Sequence, residues 1–106
     1  DIGAVCAYLE EHSGEPVSLD QLGEVAGLSK YYLLRSFTKQ KGISPYRYLE
    51  TIRIAKARKL LERNVPMIEV ALQTGFADQS HFSRFFKRLI GVTPRQYAEI
   101  FGGRQA

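Results

Sequence analysis

The sequence predicts an all-α fold of about seven helices, in which two helix-turn-helix units are joined by a long linker helix. Two observations support this fold class. Apolar residues recur at helical spacing, and no segment alternates apolar and polar residues with the period of two that a half-buried strand requires. In addition, a short helix, a glycine-bearing turn and a longer basic helix occur twice within the 106 residues.

The repetition is visible in the residues themselves. Residues 42–48 (GISPYRY) reappear 49 positions later as residues 91–97 (GVTPRQY). At this offset the matching pairs are Leu33 with Phe82, Arg35 with Arg84, Phe37 with Phe86, and Lys39 with Arg88. Upstream, at an offset of 48, they are Leu19 with Met67, Leu22 with Val70, Gly23 with Ala71, Gly27 with Gly75, and Leu28 with Phe76.

We therefore interpret the chain as a single domain with four consecutive parts. Residues 1–43 form the first helix-turn-helix unit, residues 44–63 the linker helix, residues 64–101 the second unit and residues 102–106 a tail. One domain of this length can bury only a modest core.

The first two helices have recognisable start signals. Asp1 is placed to cap a helix that residues 13–16 end. Ser18 and Gln21 have the spacing of a capping box, which predicts the start of a short second helix. Gly23 lies within that helix and allows a neighbouring segment to approach closely.

The third and fourth helices follow from the next signals. Gly27 allows the chain to turn, and Ser29 caps a third helix that is expected to run to about Lys41. Ser44 and Pro45 then provide the cap and the first-turn proline of a long fourth helix, which is expected to end near residues 63–64.

The second half of the chain repeats this order. A short fifth helix ends at Gly75, and Asp78 caps a sixth helix that continues to about Ile90. Thr93 and Pro94 repeat the cap and proline for a last helix.

Three sets of residues are expected to face the core. The residues predicted to be buried are Leu33, Phe37, Leu60, Phe76, Phe82 and Phe86. The apolar stripe of the fourth helix consists of Tyr48, Leu49, Ile52, Ala55, Leu60 and Leu61. The buried face of the sixth helix consists of Phe82, Phe85, Phe86 and Leu89.

Charge is distributed unevenly along the chain. Residues 1–28 contain six acidic residues and no Lys or Arg, so residues 29–106 contain all 15 bases and the other five acids, a net charge of +10. A field of one sign attracts polyanions such as nucleic acids. No apolar run approaches the roughly 18 residues that a membrane span needs, and no signal-peptide pattern is present.

Several of the bases lie on the outer faces of the third and sixth helices, where a helical wheel separates them from the buried residues. The outer face of the third helix carries Tyr31, Arg35 and Lys39, with Tyr32, Leu34 and Thr38 at its flanks. The outer face of the sixth helix carries Ser80, Arg84 and Lys87, with Gln79, His81, Ser83 and Arg88 beside them. Such groups suit the major groove of DNA, where Arg pairs with guanine, Gln with adenine and apolar groups with the thymine methyl.

Six segments, in this order, resemble the DNA-binding domain of AraC/XylS-type bacterial transcription regulators. They are GLS at residues 27–29, LLRSF at 33–37, RIAKARKLL at 53–61, IEVA at 68–71, GFADQSHFSRFFK at 75–87 and GVTPRQY at 91–97. The resemblance covers residues 2–101. It implies two helix-turn-helix units. The third helix of the chain, in the first unit, and the sixth helix, in the second unit, enter successive major grooves of double-stranded DNA.

The resemblance also implies roles for particular residues. Base contacts are expected from Tyr31, Leu34, Arg35, Gln79, Ser80, Ser83 and Arg84. Phosphate or flanking contacts are expected from Lys30, Tyr32, Thr38, Lys39, His81, Lys87 and Arg88. Gly23 departs from the family, which more often has Ala there, and this bears on local stability.

For the full-length protein the resemblance implies a cytoplasmic transcription regulator, an activator or a repressor, that associates with the nucleoid and has RNA polymerase as a second partner. It also implies an N-terminal effector or dimerisation domain, although some members consist of this unit alone. The start at Asp1 is interpreted as a fragment of a longer protein or a processed chain.

Other functions fit the residues less well. An enzyme, metal site or cofactor site is not expected, because Cys6 lies on an apolar stripe and His12 and His81 have no ligand-spaced partners. A helical protein-interaction module, with Leu34 and nearby tyrosines as its contact patch, would leave the repeat unexplained. RNA binding is the third alternative, but the deep, narrow groove of duplex RNA resists a helix.

The length of the linker helix leads to one more expectation. About 18 residues span about 27 Å, whereas recognition helices one turn apart on straight DNA are separated by roughly 34 Å. We expect one monomer to bind an asymmetric site and bend it, and circular-permutation gel shifts would detect the bend.

Overall fold

The computed structural model describes residues 1–103, and within that range it contains seven α-helices and no strand. The helices are α1 (Ile2–Glu11), α2 (Leu19–Ala26), α3 (Lys30–Lys41), α4 (Pro45–Glu62), α5 (Met67–Thr74), α6 (Gln79–Ile90) and α7 (Pro94–Phe101). The predicted fold class is confirmed. No helix of the described range is long and apolar enough to cross a membrane.

The predicted helix starts are confirmed by hydrogen bonds at the caps. The side chains of Asp1, Ser29 and Asp78 each accept a backbone N–H at the start of a helix. Complete capping boxes begin α2 at Ser18 and α7 at Thr93. Because these bonds satisfy N–H groups that have no partner within the helix, the helix boundaries follow from local sequence.

The chain divides into two compact units, an N-terminal unit of Asp1–Ile52 and a C-terminal unit of Arg53–Ala106, so that the boundary falls within α4. Each unit has its own core. The N-terminal core consists of Ile2, Val5, Leu9, Leu22, Leu33, Phe37, Leu49 and Ile52. The C-terminal core consists of Ile54, Ala57, Leu61, Val70, Ala71, Phe76, Phe82, Phe85, Phe86 and Tyr97.

Two predictions about the fourth helix were wrong. Ala55 is exposed, and Leu60 is only half-buried against the C-terminal core. Leu61 is buried as predicted, but the other buried residues in the second half of α4 are Ile54 and Ala57, which were not predicted. One continuous stripe was expected, but the two halves of α4 contribute to different cores, and the stripe changes its phase between them.

The prediction that Leu89 is buried was also wrong, since this side chain is 46% exposed. Ile90, one turn after Phe86, packs against the core at the end of α6 instead. The buried face of α6 therefore continues from Phe86 to Ile90, four residues later, and not to Leu89.

The C-terminal segment returns to the end of α4. The Gly103 N–H donates to the Glu62 carbonyl at 2.9 Å, and the Asn64 side-chain amide donates to the Gly103 carbonyl. Of the predicted tail, residues 104–106 lie outside the described range.

Candidate nucleic-acid interface

The N-terminal unit contains a tight turn between α2 and α3. Gly27 has a left-handed backbone with φ of 70°, a conformation that glycine adopts without steric cost. The Leu28 N–H donates to the Gly23 carbonyl at 3.0 Å. A Cβ on Gly23 would lie 2.8 Å from the Leu28 carbonyl oxygen, so the missing side chain permits this close approach. The turn fixes where α3 begins.

Helix α3 has one buried face and one exposed face. Leu33 and Phe37 are completely buried in the N-terminal core. Tyr31 and Tyr32 are 74% and 64% exposed, and Arg35 is also exposed. The predicted outer face of α3 therefore carries two aromatic rings beside a guanidinium group.

Leu34 lies at the edge between these two faces. It is half-buried and lines an apolar pocket of about 390 Å³ in the N-terminal unit. The pocket is lined by Leu9, Val17, Ser18, Leu19, Leu22, Leu34, Ser44, Pro45, Tyr46 and Leu49. The base contact proposed for Leu34 stays a prediction, and only the exposed part of this side chain is available for it.

Behind α3, Tyr48 packs edge-on against Phe37, with ring centroids 5.4 Å apart. A hydrogen bond with Cys6, followed by burial, raises the pKa of Tyr48 above its ordinary value. Cys6 is itself half-buried against the N-terminal core. Tyr48 therefore contacts α3 on its inner side, at Phe37.

The C-terminal unit repeats the turn between α5 and α6. Gly75 has φ of 90°, and the Phe76 N–H donates to the Ala71 carbonyl at 3.2 Å. Asp78 accepts the His81 N–H at 2.7 Å and so caps α6. The two helix-turn-helix units thus use the same local geometry at residues that the sequence repeat aligns.

Helix α6 also presents a polar face opposite its buried phenylalanines. Phe82 and Phe86 are completely buried, and Phe85 is nearly so. The exposed residues of the predicted site on this helix are Gln79, Ser80, Arg84, Lys87 and Arg88. Ser83 is half-buried. The predicted outer face of α6 is therefore open along most of its length.

His81 is partly exposed to solvent and also packs against a buried ring. It is half-buried, and its ring lies edge-on to Phe76, with centroids 5.4 Å apart and planes at 87°. The sequence alone placed His81 on the groove-facing flank, and this contact adds that it packs onto the residue that follows the turn. Its role at the interface stays a prediction.

A hydrogen-bonded cluster joins α4 to α7 within the C-terminal unit. The Tyr97 hydroxyl donates to the Glu62 carboxylate and accepts a bond from the Arg58 guanidinium at 3.2 Å. The bond with Tyr97 is the main cause that raises the pKa of Arg58 above its ordinary value. Tyr97 also packs edge-on against Phe86, so this cluster contacts the buried face of α6.

Two exposed bases near the ends of α3 and α6 were absent from the predicted site. Lys41 lies in the last turn of α3, and Arg95 lies in the first turn of α7. Either could neutralise a phosphate. Each lies directly beside one of the two repeated segments, GISP at residues 42–45 and GVTP at residues 91–94. Within residues 1–103, no group of three or more His, Cys, Asp or Glu side chains could hold a metal ion.

Comparison with known proteins defines the class of this domain. A family model described as a helix-turn-helix domain matches residues 22–100. The uncharacterised HTH-type transcriptional regulator YbfI of Bacillus subtilis is 60% identical over 81 residues, which are 76% of this chain and 30% of that protein. The HTH-type transcriptional activator RhaS of Escherichia fergusonii is 40% identical over 101 residues, 94% of this chain and 35% of that protein. The chain thus spans about a third of the length of these curated relatives.

Solved structures agree with this class. The C-terminal domain of AraT, a response regulator from Geobacillus stearothermophilus, superposes with a TM-score of 0.91 at 30% identity, covering 98% of this chain and 88% of that one. The DNA-binding domain of AdpA, solved in complex with a target DNA, gives a TM-score of 0.88 at 29% identity, with 94% and 91% covered. The chain belongs to the AraC-type family of helix-turn-helix transcription regulators.

Proposed function

We propose that this chain is the DNA-binding domain of a longer bacterial transcription activator. It binds double-stranded DNA in a sequence-specific way, with α3 and α6 in successive segments of the major groove. The main support is that two helix-turn-helix units, built by the same turn, each expose a polar and basic face opposite a fully buried one. The resemblance to AdpA, whose DNA-binding domain was solved with a target DNA, agrees with this proposal.

Within this proposal each of the two helices provides some residues that contact bases and others that contact phosphates. The base-contacting residues are Tyr31, Leu34, Arg35, Gln79, Ser80, Ser83 and Arg84. The phosphate or flanking residues are Lys30, Tyr32, Thr38, Lys39, His81, Lys87 and Arg88. Arginine forms bidentate hydrogen bonds with guanine, and glutamine forms them with adenine, whereas lysine mainly neutralises phosphates.

For the whole protein we propose a cytoplasmic location, association with the nucleoid and a contact with RNA polymerase. We also propose an N-terminal effector or dimerisation domain. The greater length of the relatives YbfI and RhaS supports a further domain, and the match to the C-terminal domain of AraT agrees with an N-terminal position for it. Catalysis and cofactors have no place in this proposal, because the family consists of transcription regulators.

Selection of bound sites from a pool of random duplex DNA tests the proposed function. We expect enrichment of one asymmetric site with two conserved segments. A footprint on the selected duplex, made at known protein stoichiometry, should cover two major-groove segments per monomer. Recovery of no common sequence, or stronger binding to structured RNA at physiological salt, would contradict the proposal.

Replacement of Arg35 or Arg84 by alanine tests the base-contacting role. Each replacement should weaken binding to the selected site by about 1–3 kcal/mol, because a bidentate contact with guanine is lost. Preference should be relaxed at one position of the site and kept elsewhere. The measurement is an equilibrium titration of each variant against single-base variants of the site.

The matched control for these replacements is Lys59→Ala, which removes an exposed base of α4 outside the predicted interface. Its effect should be small and independent of sequence. If Arg35→Ala or Arg84→Ala weakened binding equally on every duplex, that arginine would be a phosphate contact.

A further inference from the structure

We propose that α3 recognises the methyl group of a thymine within two base pairs of a guanine, through a cleft formed by Tyr31, Tyr32 and Arg35. This inference rests on the proposed function, since it specifies what the N-terminal unit selects in DNA. The cleft, called here the tyrosine cleft, has a volume of about 190 Å³.

The tyrosine cleft is open to an incoming partner. Its two rings are among the most exposed large hydrophobic side chains of the described residues, at 74% for Tyr31 and 64% for Tyr32. The Lys30 ammonium lies 5.9 Å from the Tyr31 ring centroid, and this cation–π contact favours one ring orientation. Tyr31, Tyr32 and Arg35 line the cleft together, so aromatic surface and a guanidinium group face the same space.

The chemistry of the major groove limits what such a cleft can contact. The thymine methyl is the apolar group on the base edges there, whereas the other groups are hydrogen-bond donors and acceptors. Aromatic surface gains from contact with a methyl group because both lose water. Arginine in turn pairs with the O6 and N7 atoms of guanine. The three side chains together match a thymine and a guanine.

Spacing along the helix places these two bases close together. Tyr31 and Arg35 are one turn apart on α3, which is about 6 Å along the helix axis. Successive base pairs are about 3.4 Å apart. The thymine and the guanine are therefore expected at adjacent base pairs or one pair further apart.

The C-terminal unit provides an internal comparison for this inference. At the offset of 49 residues, Arg35 corresponds to Arg84, but Tyr31 and Tyr32 correspond to Ser80 and His81. Helix α6 thus keeps the arginine and lacks the pair of aromatic rings. Recognition of the thymine methyl by this cleft should belong to the N-terminal unit alone.

The test uses the whole chain and the site selected from random duplex DNA. Each thymine of that site is replaced in turn by deoxyuridine, which removes only the methyl group, and each guanine by 7-deazaguanine, which removes N7. Arg35→Ala identifies the guanine contacted by Arg35, because the 7-deazaguanine effect at that position disappears in the variant. Binding constants are measured by equilibrium titration.

We expect uracil to weaken binding about 4-fold at one or two thymines within two base pairs of that guanine, which corresponds to about 0.8 kcal/mol for a buried methyl-sized group. The double variant Tyr31→Ser, Tyr32→His gives α3 the residues of α6. It should bind the uracil and thymine sites equally, within about 1.5-fold, since the methyl contact is gone. Both positions are exposed, so the variant should stay folded, and circular dichroism would verify this.

The outcomes separate this inference from the proposed function. If binding were sequence-specific but unaffected by every uracil replacement, the proposed methyl recognition by the tyrosine cleft would be wrong, and the proposed function would stand. A methyl effect that persists in the double variant would overturn it as well. Failure of the unaltered chain to prefer any duplex sequence would instead contradict the proposed function.

Discussion

Raising the salt concentration from 50 to 200 mM is expected to weaken duplex binding by about 10³-fold or more, if at least about six phosphates are contacted. Each neutralised phosphate releases condensed counterions, and salt opposes that release. The slope of log K against log salt concentration should be about −5 for six contacts. Fluorescence anisotropy with a labelled duplex at several salt concentrations measures this slope.

The distribution of charge is the reason to expect so strong a dependence. All 15 bases lie in residues 29–106, and the net charge of that range is +10. Six exposed bases flank the proposed base contacts, namely Lys30, Lys39, Lys41, Lys87, Arg88 and Arg95. If each neutralises one phosphate, the chain has enough cations for the predicted slope.

Single replacements make this prediction sharper. Lys87→Gln should make the slope less negative by about 0.9, because one phosphate contact is lost. It should weaken binding to a similar extent on every sequence. Lys59→Gln, which removes an equal charge from α4 outside the proposed interface, should leave the slope nearly unchanged. A slope near zero for the unaltered chain would favour the alternative of a protein-interaction module.

Phe86→Ala is expected to lower the free energy of unfolding by about 3–5 kcal/mol, the usual effect of removing a buried aromatic ring. Phe86 is completely buried in the C-terminal core. Its ring centroid lies 5.7 Å from that of Phe82 and 5.5 Å from that of Tyr97. The replacement therefore leaves a cavity where α6 and α7 meet. Urea unfolding followed by circular dichroism measures the loss.

Leu89→Ala is the matched control, because it shortens an apolar side chain on the same helix. Leu89 is 46% exposed, so the change should remain within about 0.5 kcal/mol. Hydrogen exchange adds a second measurement: protection should fall in α5, α6 and α7, since Phe86 belongs to the C-terminal core. Equal losses from the two replacements would mean that the assignment of buried and exposed faces on α6 is mistaken.

Much of the fold could be predicted from local sequence. The capping residues Ser18, Ser29, Asp78 and Thr93 start helices where the sequence placed them, and Gly27 and Gly75 form the two turns. These features depend on residues three or four positions apart, so their physical cause lies within the segment itself. The repeat also identified Leu33, Phe37, Phe82 and Phe86 as buried, and this is confirmed.

The candidate site was predictable in its outline for a similar reason. Once the buried residues fix the inner face of a helix, geometry places Tyr31, Arg35 and Arg84 on the outer face, and all three are exposed. Which of these residues contact bases cannot be derived from that geometry, because it depends on how DNA approaches each helix. That part of the site remains a proposal.

Only the tertiary structure decided the details that depend on neighbouring elements. The stripe of α4 changes phase where the helix passes from one core to the other, which left Ala55 exposed and buried Ile54. Leu34 lines an apolar pocket, and His81 packs against Phe76. Periodicity along one helix shows which residues share a face. Whether a flanking residue is covered depends on packing against segments distant in sequence, so it was not determined by the sequence of the helix alone.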